Sequence, residues 1–189
     1  MTLLLPYARE RLTPGRLLSA GLLVLAATFA GRGWSWDAAT AADIAAAFGL
    51  VIAFRLWDDV MDRERDRARH PERVVVRAPS TTPFTTAAAL VAAGAVVLVS
   101  SAHGFPSVVI LIVYAVALAG SYATRGSRSA IREWILLLKY GVFTLALIGL
   151  PAALTLRGLL AAAAAFVAAC LYEWWHDAES PVFSLGGSR

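Results

Sequence analysis

The sequence predicts an all-α, polytopic transmembrane helix bundle of about six spans, folded as a single membrane domain over residues 1–189. Hydrophobic residues make up 59% of the chain and charged residues only 16%, whereas soluble domains have about 45–50% and about 25%. The apolar residues also lie in blocks of about 15–20, the length of helix that crosses a bilayer core of roughly 30 Å. These two observations exclude an ordinary cytosolic globule, a disordered chain and a disulfide-framed secreted module.

Each apolar block is expected to form a helix, because backbone groups in lipid must be hydrogen-bonded within the segment and the runs do not alternate as barrel strands do. The first block follows Arg9, Arg11 and Arg16 and is also typical of a signal peptide, but the later blocks favour a retained span. A polar segment, 58–82, follows the second block, and a tail rich in Gly and Ser follows the sixth. The predicted spans are 17–31, 39–57, 83–101, 105–122, 131–150 and 156–175.

The distribution of arginine and lysine predicts the orientation of the bundle. Thirteen basic residues fall on the side that carries both termini and the segment 58–82, and only Arg32 and Arg157 fall on the other. Short cytoplasmic loops carry the excess of positive charge, so we expect a multi-pass protein of the cell membrane with both termini cytoplasmic. This pattern accounts for the net charge of +4 without a nucleic-acid partner, and membrane lipid is the expected neighbour.

A cluster of carboxylates follows the second span. If that helix continues past the membrane surface, a rotation of about 100° per residue places Asp58, Asp62 and Asp66 within about 80° of one another. Asp59 falls about 100° from Asp58, and Arg55 lies within the same sector. Like charges four residues apart destabilise a helix, so a divalent cation is expected to offset the repulsion.

Hard oxygen ligands favour Mg²⁺, which is usually shared between one or two carboxylates and the phosphates of a substrate. A carboxylate rim on a lipid-embedded bundle therefore predicts a phosphorylated lipid substrate. The alternative is a solvated loop in which acids balance the neighbouring arginines, an interpretation that suits Glu64 and Glu72 best.

The acidic stretch resembles the first aspartate-rich motif, N-D-x-x-D-x-x-x-D, of the UbiA family of intramembrane prenyltransferases. Asp59, Asp62 and Asp66 match its acids in register, and Asp58 stands where the family usually has Asn. The His-Pro-Glu-Arg segment at 70–73 resembles the continuation of the motif. In that family the acids hold Mg²⁺ on the diphosphate of an isoprenoid donor, so the resemblance implies the same cofactor and donor here.

A cationic stretch resembles the family's tyrosine-to-lysine region, which leads into the fifth span. It contains Tyr122, Arg125, Arg128, Arg132 and Lys139. On one continuous helix, Arg128, Lys139 and Arg132 share a stripe about 40° wide. Lys139 is the only lysine of the chain and lies inside an apolar run, where a charge is costly and usually functional. A snorkelling side chain is the alternative.

The family's second motif, D-x-x-x-D, is resembled by Glu173 and Asp177 after the sixth span, with Glu in place of the first Asp. These two acids share a helix face and emerge on the same predicted side as Asp62. The alternative is an ordinary acidic helix end. Trp174 and Trp175 are interpreted as residues of the interfacial aromatic belt.

The resemblance implies a Mg²⁺-dependent prenyltransferase that moves an isoprenoid group from a prenyl diphosphate to an unidentified acceptor. The implied catalytic residues are Asp59, Asp62 and Lys139. The implied substrate-binding residues are Arg55, Tyr122, Arg128, Arg132 and Lys139, and the implied metal ligands are Asp58, Asp59, Asp62, Asp66, Glu173 and Asp177. Because the family typically has nine spans, the chain resembles a shortened member whose bundle a homo- or hetero-oligomer would complete.

The main alternative is a non-catalytic, shortened UbiA-like membrane protein that acts as a scaffold or as a subunit of a larger complex. A CDP-alcohol phosphotransferase also uses aspartates at a membrane surface, but its D-G-x-x-A-R opening is absent. A small transporter would more often carry its charged residues at mid-span. Prenyl diphosphate binding that depends on Mg²⁺ distinguishes the enzyme from the scaffold.

The predicted orientation can be tested with single cysteines placed in an otherwise cysteine-free chain. A membrane-impermeant maleimide added outside intact cells should label Ser35→Cys and leave Ser80→Cys unlabelled, because the excess of basic residues assigns position 80 to the cytoplasm. Labelling of Ser80→Cys from the outer face would contradict the orientation.

Overall fold

The structure is a computed structural model, and it describes residues 3–123, 130–176 and 182. All the regular structure within these ranges is helical, which confirms the predicted all-α class. The helices are α1 (Leu4–Arg11), α2 (Pro14–Arg32), α3 (Ala38–Met61), α4 (Arg63–Arg69), α5 (Val74–Arg77), α6 (Thr82–His103), α7 (Phe105–Ala123), α8 (Ala130–Ile148) and α9 (Leu156–His176), with a 3₁₀ turn at Ala152–Leu154.

Four of the described helices, α3, α6, α7 and α9, are long and apolar enough to cross a membrane. They correspond to the second, third, fourth and sixth predicted spans. The first predicted span corresponds to α2, whose apolar part, Leu17–Arg32, is shorter. The fifth corresponds to α8, which carries Arg132, Glu133 and Lys139. The chain therefore has the helices of a membrane protein, and the total of six spans stays a prediction.

Local chemistry sets the helix ends. α2 begins with Pro14, whose fixed φ suits the first helical position, and its C-cap is Gly33 at φ 92°, a conformation that favours glycine. α3 is capped by Asp37, whose side chain accepts a hydrogen bond of 2.7 Å from the backbone N–H of Thr40. These signals separate the first two apolar blocks into two helices.

Small residues bring the long helices together. α3 packs along α6, and α9 packs against α2 and α8. A Cβ on Gly49 of α3 would lie 3.2 Å from the Cβ of Ala95 in α6. A Cβ on Gly141 of α8 would lie 3.0 Å from the carbonyl oxygen of Ala162 in α9. Glycine at these two positions therefore permits the close helix contacts that membrane bundles depend on.

The helix that contains the second predicted span does not continue through the acidic stretch. α3 ends at Met61, Asp62 has φ −87° and ψ 1°, and α4 begins at Arg63. Because ψ at Asp62 departs by about 40° from the helical value near −42°, a constant rotation of about 100° per residue does not hold across it. The single continuous helix considered for the acidic stretch is therefore not formed, and sequence spacing no longer fixes a common face for residues before and after Asp62.

A buried ionic cluster joins α2, α3 and α6 at the opposite end of α3. Asp43 is fully buried and accepts a hydrogen bond from Arg32 of α2. Nε2 of His103, at the end of α6, lies 2.6 Å from Oδ1 of the same carboxylate. Arg32 also donates to the hydroxyl of Thr40 over 3.3 Å. One carboxylate thus links three helices.

Removing the charge of Asp43 should destabilise the bundle. Asp43→Asn leaves the Arg32 guanidinium, largely buried, beside a neutral amide, and breaking a buried ion pair typically costs about 3–5 kcal/mol. We expect a loss of that order in the free energy of unfolding, measured by denaturation in detergent micelles followed by tryptophan fluorescence. Asp37→Asn is the matched control, because Asp37 is exposed at the same end of α3 and asparagine keeps the cap. Equal losses in the two variants would show that the cluster does not hold the helices.

Candidate functional site

A cavity of about 700 Å³ lies between α2, α3, α8 and α9. Its apolar wall includes Leu17, Leu23, Val51, Phe54, Leu136 and Phe143. Its polar end includes Arg55, Asp58, Asp62, Arg132, Lys139 and Glu173. The cavity is therefore amphipathic, with charged side chains of both signs at one end and hydrocarbon along its walls.

Asp58 and Asp62 face the cavity from the end of α3. They are four residues apart, so they lie on neighbouring turns of one helix face. The hydroxyl of Tyr122 donates to Oδ1 of Asp58, and Nη2 of Arg132 lies 4.0 Å from Oδ1 of Asp62. Tyr122 itself is buried and is not among the described residues that line the cavity. Its contact is with Asp58.

Asp59 faces another direction. It is buried, accepts hydrogen bonds from Tyr7 and Arg11, and lies 3.5 Å from Nη2 of Arg55. It is not among the described residues that line the cavity. The physical reason is the helix itself, since Asp59 is rotated by about 100° from Asp58 and points toward α1.

Asp66 also lies away from the cavity. It belongs to α4, is buried, and accepts a hydrogen bond from Arg73. Because the helix is interrupted at Asp62, the spacing of the acids no longer fixes their common direction. The four aspartates of the predicted acidic face are therefore divided between the cavity and two separate arginine contacts.

Positively charged side chains of α3 and α8 line the cavity. Nζ of Lys139 lies 3.7 Å from the ring centroid of Phe54 and 5.2 Å from that of Tyr140. Cation–π contacts within about 6 Å are favourable, so the rings offset part of the cost of holding an ammonium among apolar residues. Arg55 and Arg132 line the same polar end. Three of the predicted substrate-binding cations therefore share one cavity.

α9 contributes a carboxylate to the same space. Glu173 lines the cavity together with Asp62 and Lys139, so acids from α3 and α9 and the lysine of α8 surround one volume. The predicted residues Arg128 and Asp177 lie outside the described residues. The predicted site residues that line the cavity therefore come from α3, α8 and α9, together with Asp62 just beyond α3.

Three charged residues that line the cavity were missed by the sequence analysis, namely Arg11, Arg65 and Glu133. Arg11 was interpreted only as a charge that orients the first span, yet it lines the cavity and binds Asp59. Glu133 is buried in the first turn of α8 and also lines the cavity. Arg11 and Asp59 are 48 residues apart, so no local spacing could have paired them. The only signal for Glu133 was an acid at the start of a predicted span.

The carboxylates fit a metal ion only in part. Within the described residues, no three His, Cys, Asp or Glu side chains converge to hold one. Asp58 and Asp62 share a helix face and the cavity, and Mg²⁺ normally takes one or two carboxylates and completes its octahedral shell with water and phosphate. A Mg²⁺ ion could therefore be held here only together with a phosphate ligand.

Comparison with known protein families, curated proteins and solved structures gives no match. The function must therefore be argued from the cavity and its residues.

The cavity changes the acidity of Asp62, which lies just beyond the end of α3. Burial raises the pKa of Asp62 to about 6, and the carboxylate of Asp58 acts in the same direction. Arg65 and Arg132 oppose this shift. Burial and repulsion therefore outweigh the attraction of the two guanidiniums, so the cavity disfavours a second negative charge beside Asp58.

The raised pKa of Asp62 predicts a pH dependence of stability in the absence of divalent cations. Between its ordinary value of 3.8 and about 6, the folded chain keeps a proton that the unfolded chain has lost. Stability should therefore fall as the pH rises through this window and level off above it. Unfolding experiments in detergent with a chelator, compared with Asp62→Asn, isolate this contribution. Parallel pH profiles for the two chains would contradict the assignment.

Proposed function

We propose that the chain is a UbiA-like intramembrane prenyltransferase that moves an isoprenoid group from a prenyl diphosphate to an acceptor in a Mg²⁺-dependent reaction. The observation that carries the proposal is the amphipathic cavity, in which carboxylates of α3 and cations of α3 and α8 meet at the end of an apolar volume. A prenyl diphosphate has the same division into a charged head and a hydrocarbon tail.

The diphosphate head suits the polar end. Arg132 and Lys139 line it, and guanidinium and ammonium groups bind phosphate oxygens by charge-assisted hydrogen bonds. Mg²⁺ held by Asp58, Asp62 and the diphosphate would neutralise charge on the leaving group. Pairing each acid of the cavity with a cation or with the metal relieves the repulsion among the carboxylates.

The apolar wall suits the isoprenoid tail. The allylic C–O bond would break with its electron pair leaving on the diphosphate, and the acceptor would bond to the carbon and release a proton. Phe54 and Phe143 line the cavity with ring centroids 6.4 Å apart, and aromatic faces attract positive charge. The ring faces would favour the allylic cation, and the surrounding hydrocarbon would keep water from it.

The proposal includes six spans. α2 and α8 would cross the membrane beside the four apolar helices, with both termini and the segment 58–82 on the cytoplasmic side of the cell membrane. α8 carries three charged residues, but Glu133 and Lys139 line the cavity, where a polar side chain inside a membrane bundle is least costly. A homo- or hetero-oligomer would complete the bundle.

A second candidate is a non-catalytic, UbiA-like scaffold or subunit of a larger complex. The observation that favours it is the pairing of Asp59 with Arg11 and of Asp66 with Arg73, which engages two carboxylates of the aspartate-rich motif. Binding of a protein partner without Mg²⁺, and without prenyl diphosphate binding, would support this candidate.

Asp62→Asn should remove the Mg²⁺-dependent part of prenyl diphosphate binding. The variant loses one of two carboxylates on the cavity face of α3, and contacts to charged groups contribute about 1.5–3 kcal/mol, so we expect at least about a tenfold loss of affinity. The measurement is binding of labelled farnesyl diphosphate to the purified chain with and without Mg²⁺, followed by product formation with quinone and aromatic acceptors.

Glu64→Gln is the matched control for this experiment. Glu64 lies in α4, is exposed, and pairs over 2.9 Å with Arg67, so its loss should leave binding unchanged. Equal effects of the two substitutions would mean that the acidic stretch acts as a general electrostatic surface, and the prenyltransferase proposal would fail.

A further inference from the structure

The first helix, α1, packs against the end of the bundle that borders the cavity. Tyr7 of α1 is buried against Phe84, with ring centroids 5.4 Å apart, and packs in a cluster with Leu56 and Val75. The backbone N–H of Val74 donates to the carboxylate of Glu10 over 3.0 Å. α1 is therefore fixed to α3, α5 and α6 by both apolar and polar contacts.

Arg11, the last residue of α1, binds Asp59 through two hydrogen bonds. Nε donates to Oδ2 over 2.9 Å and Nη2 donates to Oδ1 over 2.7 Å. The side chain of Arg11 is only 12% exposed, and it lines the cavity. A guanidinium has five N–H groups, so this paired contact leaves three for a ligand.

Both oxygens of Asp59 are engaged. Besides Arg11, the hydroxyl of Tyr7 donates to Oδ2 over 2.8 Å, and Nη2 of Arg55 lies 3.5 Å from Oδ1. Burial and the adjacent carboxylate raise the pKa of Tyr7, so its hydroxyl stays a donor. A carboxylate surrounded in this way has little capacity left for a metal ion.

Among the described residues, Arg11 and Arg55 both place a guanidinium against Asp59, and both also line the cavity. They come from different helices and both approach the same carboxylate oxygen, Oδ1 of Asp59. An arginine held by a carboxylate loses less side-chain freedom when it binds a second anion, because its fork is already oriented.

We infer that Asp59 is a positioning residue, which holds Arg11 and Arg55 at the cavity wall, and that Arg11 binds the phosphate head of the ligand. The inference rests on the proposed function, because it assigns residues for binding the same diphosphate. It gives α1 a direct part in the site and gives Asp59 a role other than that of metal ligand.

The experiment separates phosphate affinity from the Mg²⁺ requirement. Farnesyl diphosphate binding to the purified full chain is measured across a series of Mg²⁺ concentrations for wild type, Arg11→Gln and Asp59→Asn. Both variants should raise Kd at saturating Mg²⁺ by at least about tenfold and leave the half-saturating Mg²⁺ concentration unchanged. In the double variant, Kd should rise by less than the product of the two single fold-changes, because the residues act as one unit.

Three controls make the test specific. Arg9→Gln removes a charge from an exposed position of α1 and should leave Kd unchanged. Arg11→Lys keeps the charge but loses the fork, so it should restore affinity only in part. Farnesol binding should be the same in every chain, since it carries no phosphate. If Asp59→Asn does not fold, Arg11→Gln decides the question through the same two readouts.

The outcomes distinguish this inference from the proposed function. The inference would be overturned if Arg11→Gln left Kd unchanged. It would also be overturned if Asp59→Asn raised the half-saturating Mg²⁺ concentration but left Kd at saturating Mg²⁺ unchanged. Either result would leave the proposed function standing. A wild-type chain that binds no farnesyl diphosphate with Mg²⁺ would overturn both.

Discussion

A charge inside an apolar helix bundle is costly unless it is paired or faces a polar cavity, and this constraint organises both ends of the molecule. At one end Asp43 is shared by Arg32 and His103. At the other, Asp59 is shared by Tyr7 and Arg11. Each buried carboxylate belongs to α3 and attaches other helices to it, α2 and α6 at one end and α1 at the other. Apolar packing brings these helices together, and the buried charges fix which side chains must meet.

The same helix end supplies carboxylates for two purposes. Asp58 and Asp59 are adjacent in sequence, and the helix turns them about 100° apart. Asp58 faces the cavity with Asp62, whereas Asp59 faces α1 and is enclosed by donors. A motif rich in aspartate can therefore serve the site and the fold together, and its spacing alone does not say which acid does which.

The sequence predicts those features that depend on neighbouring residues. The helical class and the positions of the long helices follow from the length of the apolar blocks, and the carboxylates at the end of the second block mark the end of α3 that borders the cavity. Pairs formed across the fold were beyond such reasoning, because Arg11 and Asp59 are 48 residues apart and Asp43 and His103 are 60 apart. The direction of Asp66 was also unpredictable, because periodicity gives a face only while the helix is continuous.

The charges around the cavity limit what can enter it. Its described lining carries five cationic side chains and four carboxylates, namely Arg11, Arg55, Arg65, Arg132, Lys139, Asp58, Asp62, Glu133 and Glu173. Asp59, which contacts Arg11 but does not line the cavity, balances the remaining positive charge.

Because both signs are present and nearly equal, a bare Mg²⁺ ion meets several cations at short range, and a bare diphosphate meets several carboxylates. A magnesium diphosphate carries far less net charge than a bare diphosphate and presents both signs, so it can place its metal against Asp58 and Asp62 and its oxygens against the cations. Under the proposed function, metal and donor are therefore expected to bind as one unit. A structural counter-ion at Asp59 is part of that balance, because it holds two guanidiniums in place without adding a carboxylate to the space that the diphosphate must occupy.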